Sequence, residues 1–157
     1  MKKILDSKAK IRFQDCDPFN HLNNSKYLDY FINAREDQVL ENYGIDIFGM
    51  IKNDLKGWVV TSNQIAYFKP VITMETVIIE SQIIDFTEKS LKIEMRMYNN
   101  EKTELKSIIW ANFVHFDLKI QKSTHHSQHL MSLFNSVKNK VESQYFEDRI
   151  QKYKLVS

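Results

Sequence analysis

Acidic and amide side chains are concentrated in residues 12–31, which read RFQDCDPFNHLNNSKYLDYF. Asp15 and Asp17 precede a segment that predicts a helix, and Asn23 and Asn24 stand close to its start. A helix N-terminus has unpaired N–H groups and a positive dipole end, so it can stabilise a developing oxyanion. A carboxylate beside it can act as a base or a nucleophile. The same residue types commonly cap helices and shape turns, and both interpretations stay open at this point.

The elements that position this cluster are predicted from hydrophobic periodicity and from the residues that end helices and strands. Residues 8–14 predict a short strand with Ile11 and Phe13 on one face, and the Asp- and Asn-rich residues 15–24 predict a loop. Residues 44–54 predict a second, shorter helix or turn.

A long helix is predicted from Ser25 to about Tyr43, where Gly44 would end it. Asn23, Asn24 or Ser25 can cap its start. Because apolar residues cover most of its circumference, we expect it to be buried on nearly all sides.

The second half of the chain predicts strands and then a helix. Four stretches are rich in β-branched and aromatic residues, namely 58–68, 75–86, 90–98 and 104–116. Their short connections favour an antiparallel meander. An apolar stripe from Leu130 to Val141 predicts an amphipathic C-terminal helix, and the Lys-rich tail beyond it is expected to be solvated. This order is typical of an α+β fold in which one sheet curls round a buried helix.

Three motifs then occur in a recognisable order. The first is the pattern D-x-D-x-x-x-H-x-N-N, which is carried by Asp15, Asp17, His21, Asn23 and Asn24 and followed by Tyr27 and Ala34-Arg35. The second is Ala66-Tyr67-Phe68-Lys69-Pro70, and the third is the strand from Trp110 to Asp117. From about Lys10 to about Leu118 the chain resembles the 4-hydroxybenzoyl-CoA thioesterase family of hotdog-fold proteins.

The resemblance implies a fold and an activity. The family's fold is a curved antiparallel sheet wrapped round a long central helix, and its members hydrolyse acyl-CoA thioesters to a free acid and CoA. The second Asp of the pattern, here Asp17, is the family's catalytic carboxylate, acting as base or nucleophile. The carbonyl oxygen is held in the family by a backbone amide at the helix start, which falls near Asn24.

The other residues of the motif have supporting roles under this interpretation. We expect His21, Asn23, Asn24 and Tyr27 to line the substrate site, and Asp15 to hold the loop through hydrogen bonds. The alternatives are that Tyr27 fills the core and that Asn23 and Asn24 support only the loop and the helix start. The competing interpretation of Asp17 is a purely capping role at the helix start. Many family members have Gly where this chain has Asn20, and Asn tolerates the left-handed backbone next best.

Two further groups of residues are weaker candidates. A nucleophilic Cys16 would need a partner that lowers its thiol pKa, and the resemblance disfavours it. His125, His126 and His129 form a small cluster, and His125 and His129 are four residues apart, as metal ligands on one helix face can be. Without an acidic or Cys partner at a suitable spacing, we expect a solvated loop and helix start, and neither a metal nor a cofactor.

Length and composition limit the remaining possibilities. The 157 residues fit one domain, 1–157, with a core of about 8–118 and a C-terminal extension of about 124–157. The net charge of +2 argues against non-specific electrostatic binding of nucleic acid. The single Cys excludes an intrachain disulfide and fits a reducing compartment. Without an apolar run long enough for a membrane span or a signal peptide, we expect a cytoplasmic protein.

The expected partners follow from the fold and the chemistry. Long strands with unpaired edges favour association, so we expect a homodimer or a tetramer built from dimers. The expected substrate is an acyl-CoA. Two alternatives remain, namely hydrolysis of acyl chains carried by acyl carrier protein, and a non-catalytic acyl-binding hotdog protein.

Overall fold

The computed structural model of the protein describes residues 1–156. In chain order the elements are β1 (Leu5–Lys10), α1 (Tyr27–Tyr43), α2 (Ile47–Asp54), β2 (Lys56–Tyr67), β3 (Thr76–Phe86), β4 (Ser90–Asn99), β5 (Leu105–Asp117), β6 (Lys122–Ser123), α3 (Gln128–Val137) and α4 (Phe146–Val156). The strands form one antiparallel sheet in the order β1-β3-β4-β5-β2, with β6 added to β5. The sheet curves round α1, which confirms the predicted α+β architecture.

The strand order corrects the predicted meander. Strands β3, β4 and β5 do follow one another as antiparallel neighbours, but β2 pairs with β5 and lies at the far edge from β3. Residues 68–75 therefore cross over between distant strands and do not form a hairpin. Pro70 has no backbone N–H to donate. Residues 71–75 are hydrogen-bonded to the loop before α1, whereas Phe68 and Lys69 donate to the Lys106 carbonyl of β5.

The first strand is also displaced from its prediction. It ends at Lys10 and is followed by a turn of 3-10 helix at Phe13–Asp15. Ile11 is fully buried, whereas Phe13 is 77% exposed, so the two side chains do not share a face. The chain turns away because the Arg12 amide donates to the Tyr30 hydroxyl and not to a neighbouring strand.

Helix α1 is confirmed with two corrections. It is preceded by one turn of 3-10 helix at Asn24–Lys26, and it ends at Gly44, whose φ of 66° is left-handed. The prediction of burial on nearly all sides is wrong, because the second half carries Glu36, Asp37 and Glu41 on an exposed face. The buried face carries Tyr27, Phe31, Ala34, Arg35, Gln38, Val39 and Tyr43.

A buried polar chain joins α1 to the concave face of the sheet. Arg35 Nη1 donates to Ser81 Oγ at 2.8 Å, and Ser81 Oγ donates to Gln38 Oε1 at 2.5 Å. Gln38 Nε2 in turn donates to the Ile79 carbonyl at 2.9 Å. Burial lowers the pKa of Arg35 to about 10. Because buried polar groups are costly when unpaired, this chain selects one rotation of α1 against β3.

The convex face of the sheet carries a second buried polar cluster. Glu94 of β4 is fully buried, and its carboxylate accepts hydrogen bonds from Gln82, Arg96, Trp110 and Arg149. Arg149 belongs to α4, so this helix covers the polar side chains of the central strands. The prediction of a solvated tail is wrong, because Phe146 packs on Trp110 and Arg149 forms an ion pair with Glu94 at 2.7 Å.

The predicted C-terminal amphipathic helix is α3. Ser127 caps it by accepting a hydrogen bond from the Leu130 amide, and Leu130, Leu133, Phe134 and Val137 are buried. Val141 lies beyond its end and packs with the cluster under α4. None of the helices formed by residues 1–156 is long and apolar enough to cross a membrane.

The Glu94 cluster predicts how stability depends on pH and on this one carboxylate. Burial by itself would raise the pKa of Glu94, but hydrogen bonds from Arg149 and Trp110 outweigh it and leave the pKa below its usual value of 4.5. A depressed folded-state pKa stabilises the protein above the unfolded value, and this stabilisation is lost as the pH falls below about 4.5. Urea unfolding of the wild type and of Glu94→Gln between pH 5 and pH 3 should show a loss of stability in the wild type that is smaller in the variant.

Replacing Glu94→Gln should lower the free energy of unfolding at pH 7 by about 3 kcal/mol, because Arg149 loses its counter-ion and Arg96 keeps only Glu80. The matched control is Glu101→Gln, the same chemical change at an exposed position. Equal stability of both variants would show that the cluster does not hold α4 on the sheet.

Candidate active site

Asp17 forms a compact turn with the four residues that follow it. Its Oδ1 accepts hydrogen bonds from the amides of Phe19 at 2.9 Å and His21 at 3.2 Å. The Asp17 carbonyl accepts from the Asn20 amide, and the Asp17 amide donates to the His21 carbonyl. Asn20 has a φ of 67°, so the left-handed conformation predicted for it is present. No hydrogen bond within residues 1–156 engages Asp17 Oδ2.

Asp15 ties this loop to α1. The Tyr30 hydroxyl donates to Asp15 Oδ2 at 2.6 Å and accepts from the Arg12 amide at 2.9 Å. Burial, followed by the hydrogen bond to Asp15, raises the pKa of Tyr30 to about 12, so the hydroxyl keeps its proton. The Asn23 amide donates to the Asp15 carbonyl at 2.9 Å. These contacts agree with the predicted structural role of Asp15.

The crossover segment, residues 68–75, holds the loop from its other side. The Leu22 amide donates to the Val71 carbonyl at 2.8 Å, and the Thr73 amide donates to the Asn20 carbonyl at 3.1 Å. The Met74 amide donates to the Ile11 carbonyl at 2.8 Å. The loop is therefore fixed by backbone bonds on both sides of Asp17, although it contains no strand.

The helix start is capped by Asn23. Its Oδ1 accepts from the Ser25 amide at 3.0 Å and from the Ser25 hydroxyl at 2.9 Å. Asp17 makes no bond to the helix start, so the interpretation of Asp17 as a helix cap is wrong; it caps its own turn. In the part of the chain that is described, the Asn24 backbone amide has no acceptor. This amide therefore stands free at the positive end of α1.

The structure brings the predicted site residues to one open cleft of about 550 Å³. Asp17, His21, Asn23, Asn24 and Tyr27 all line it. The cleft thus combines a carboxylate that has an unengaged oxygen with a free backbone amide at a helix N-terminus. Such a pair can activate water or attack directly, and can bind the oxyanion that forms on a carbonyl group.

Tyr27 forms an apolar wall of the cleft with a polar tip. The residue is only 4% exposed, and its ring meets that of Tyr67 edge-on at 4.9 Å between centroids. Burial, together with Tyr67, raises the pKa of Tyr27 to about 12. The Tyr27 hydroxyl therefore stays neutral at physiological pH.

Comparison with known proteins places this arrangement in a family. The family model described as the thioesterase-like superfamily matches residues 11–134, which include the whole cleft-forming loop and all of the long strands. The chain belongs to the thioesterase-like superfamily. It is a thioester hydrolase with the hotdog fold.

Relatives of known sequence and structure agree with this membership. The chain is 28% identical over 119 residues to the long-chain acyl-CoA thioesterase FadM of Escherichia coli K12, which covers 76% of this chain and 88% of that protein. The crystal structure of the probable thioesterase YbaW from Escherichia coli superposes with a TM-score of 0.72 at 27% identity, covering 85% of this chain and 99% of that chain. The 1,4-dihydroxy-2-naphthoyl-CoA thioesterase Slr0204 of Synechocystis shares the fold, with a TM-score of 0.77 at 13% identity over 85% of this chain and 97% of that one.

The rim of the thioesterase cleft includes residues that the sequence analysis left without a role. Tyr67, Lys69 and Pro70 line the cleft opposite the helix start. The buried Lys106 donates to the Pro70 carbonyl at 3.1 Å and lies 3.6 Å from Glu75. The sequence signal for Tyr67, Lys69 and Pro70 is the motif that ends at Pro70. Lys106 has no such signal, because it lies on β5, far along the chain from the crossover segment that it contacts.

The remaining candidates lie outside this chemistry. Cys16 Sγ donates to the Arg12 carbonyl at 3.4 Å, within the loop. Within residues 1–156 no group of His, Cys, Asp and Glu side chains is arranged to hold a metal ion.

The histidine cluster does not form one solvated group. His126 is 6% exposed, accepts a hydrogen bond from Trp58 Nε1 at 3.0 Å and stacks on His115. Burial lowers its pKa to about 4. His125 is exposed and lies 3.2 Å from Glu88. The prediction of a solvated segment is therefore wrong for His126, because Trp58 and Phe134 enclose it.

The left-handed turn makes Asn20 sensitive to substitution in a specific way. Asn20→Ala should lower the free energy of unfolding by about 1 kcal/mol, because alanine tolerates positive φ poorly, whereas Asn20→Gly should keep wild-type stability. Urea unfolding of the two variants measures this difference. Equal stability of both variants would mean that the backbone of the turn relaxes freely.

Proposed function

We propose that the protein hydrolyses an acyl-CoA thioester to a free carboxylic acid and CoA, with Asp17 as the catalytic carboxylate and the Asn24 amide as the oxyanion donor. The observation that carries this proposal is the pairing, in one cleft, of an unengaged Asp17 oxygen with an unengaged amide at the start of α1. The similarity to a long-chain acyl-CoA thioesterase supports the substrate class.

Two routes begin from the same Asp17 oxygen. As a base, Oδ2 takes a proton from water while the water oxygen attacks the thioester carbonyl carbon. The oxyanion accepts a hydrogen bond from the Asn24 amide; its collapse breaks the C–S bond, and the CoA thiolate takes up the proton. As a nucleophile, Oδ2 attacks the carbonyl carbon itself, the thiolate leaves, and water then hydrolyses the acid anhydride.

The neighbouring residues keep this geometry in place. Asp17 Oδ1 is occupied by the amides of Phe19 and His21, which leaves Oδ2 as the reacting oxygen. Asn23 fixes the turn that presents the Asn24 amide. His21 and Tyr27 are proposed to contact the substrate as walls of the cleft.

The thiol carrier is proposed to approach across the rim. Lys69 lines the cleft and is exposed, and a cation at the rim suits the phosphate groups of CoA. The phosphopantetheine arm of acyl carrier protein carries the same chemistry up to its first phosphate. Parallel assays with both donors separate these two carriers.

A homodimer, or a tetramer built from dimers, is proposed as the working form in the cytoplasm. Strand β2 is an edge of the sheet, and its residues 59–64 are exposed. Val59 and Val60 are 42% and 47% exposed on this edge. A long edge strand with unpaired N–H and C=O groups favours pairing with a second copy.

The Asp17→Asn variant tests the catalytic assignment. Asparagine keeps an Oδ1 that accepts from Phe19 and His21, so the fold should be unchanged, but the base or nucleophile is lost. Thiol release from a panel of short, long and aromatic acyl-CoAs should fall by about 10²–10⁴-fold. Asp29→Asn, on the exposed side of the first turn of α1, is the matched control and should keep wild-type turnover.

Equal thiol release by wild type and Asp17→Asn would show that Asp17 is not catalytic. Absence of release by the wild type from every acyl-CoA, with release from acyl carrier protein, would change the donor. Absence with both donors would favour an acyl-binding protein without catalysis.

The edge of β2 predicts the effect of a charge on assembly. Val60→Lys should shift the wild-type dimer towards monomer, because a lysine on the edge opposes strand pairing. Light scattering coupled to size-exclusion chromatography measures the mass, and Val60→Thr is a size-matched control with similar β propensity. A monomeric wild type, or a dimeric Val60→Lys, would contradict assembly through β2.

A further inference from the structure

Tyr67 makes two contacts across the cleft that the catalytic scheme does not use. It is the last residue of β2, pairs with Ser107 of β5, and is about half exposed. Its hydroxyl donates to the Asn24 carbonyl at 3.2 Å. Its ring meets the Tyr27 ring edge-on, with an interplanar angle of 78°. The sheet edge therefore touches both the first residue of the helix start and the wall beside it.

Asn24 needs such a support because of where it lies. It begins a single turn of 3-10 helix, and its side chain is exposed. The cap from Asn23 reaches the Ser25 amide and not the amide of residue 24. A donor that stabilises an oxyanion is effective only when its direction is set before the reaction, and small misplacements are costly.

We propose that Tyr67 is a positioning residue for thioester hydrolysis, which holds the Asn24 backbone through its hydroxyl and the Tyr27 wall through its ring. This inference rests on the proposed function of the cleft. The hydroxyl acts on the carbonyl of residue 24 and leaves the amide of the same residue free for the substrate. Burial raises the pKa of Tyr67, so the hydroxyl stays a donor at neutral pH.

The competing role for Tyr67 is a simple wall that contacts the substrate. A wall residue binds substrate and transition state alike, so its loss raises KM and leaves kcat unchanged. A residue that orients the oxyanion donor acts when the oxyanion forms, so its loss lowers kcat and leaves KM unchanged. The two roles therefore differ in which kinetic constant responds.

The test is the Tyr67→Phe variant, assayed with the best acyl-CoA of the panel. Phenylalanine keeps the ring contact with Tyr27 and removes the hydroxyl. We expect kcat to fall about three- to tenfold, the effect of one net hydrogen bond, with KM within about twofold of wild type. The pH at which kcat falls on the acid side should be unchanged, because Tyr67 makes no bond to Asp17.

Two further variants complete the experiment. Tyr145→Phe, the same change at an exposed tyrosine, should keep wild-type kcat and KM. Tyr67→Leu removes the ring contact as well and should lower kcat beyond Tyr67→Phe. Thermal unfolding of all three variants reports whether the fold is retained.

The outcomes separate this inference from the proposed function. If Asp17→Asn is inactive and Tyr67→Phe has the wild-type kcat, the function stands and the role of Tyr67 is overturned. A raised KM with unchanged kcat, or a shifted acid limb of the pH profile, also overturns it. If wild type and Asp17→Asn release thiol equally, or neither releases any, the proposed site fails and the positioning role with it.

Discussion

The backbone hydrogen bonds between the loop before α1 and the crossover segment hold the whole cleft in shape. The loop has no strand of its own around Asp17, and its amides and carbonyls at Ile11, Asn20 and Leu22 are paired with residues 71–74. The crossover segment lies beside this loop because β2 pairs with β5, so the chain must cross the sheet after β2 to reach β3. The topology of the sheet therefore sets the position of Asp17, the proposed catalytic carboxylate.

The Asp17 carboxylate closes a turn and still has one oxygen without a hydrogen bond from the described residues, as the proposed chemistry requires. Asp17 uses Oδ1 to close its own turn and leaves Oδ2 towards the cleft. Asp15, two residues earlier, uses its carboxylate to hold Tyr30 of α1. Since each acid has a different partner, the turn is rigid without neutralising the oxygen that the proposed reaction needs.

The two faces of the sheet are stabilised by different interactions. The concave face packs apolar side chains and one short polar chain against α1, whereas the convex face buries the carboxylate of Glu94 under α4. The polar face of β4 is covered by α4. That cover comes from Arg149, more than fifty residues later in the chain, and local patterning contains no sign of it.

The sequence by itself determined most of the elements. The lengths of α1 and of the long strands and the stop at Gly44 follow from local residue types, because caps, turns and periodicity are local effects. Local residue types also indicate a polar loop with Asp17, Asn23 and Asn24 before the helix, whereas the left-handed Asn20 and the proposed roles of Asp17, His21 and Tyr27 are implied by the family resemblance. The tertiary structure decided which strands pair, which face of α1 is exposed, that Tyr67 lines the cleft, and that Lys106 donates to the Pro70 carbonyl. It also decided that His126 is buried and that Arg149 pairs with the buried Glu94. These features depend on contacts between residues distant in sequence, whose energies come from shared burial and hydrogen bonding and leave no mark in the neighbouring residues.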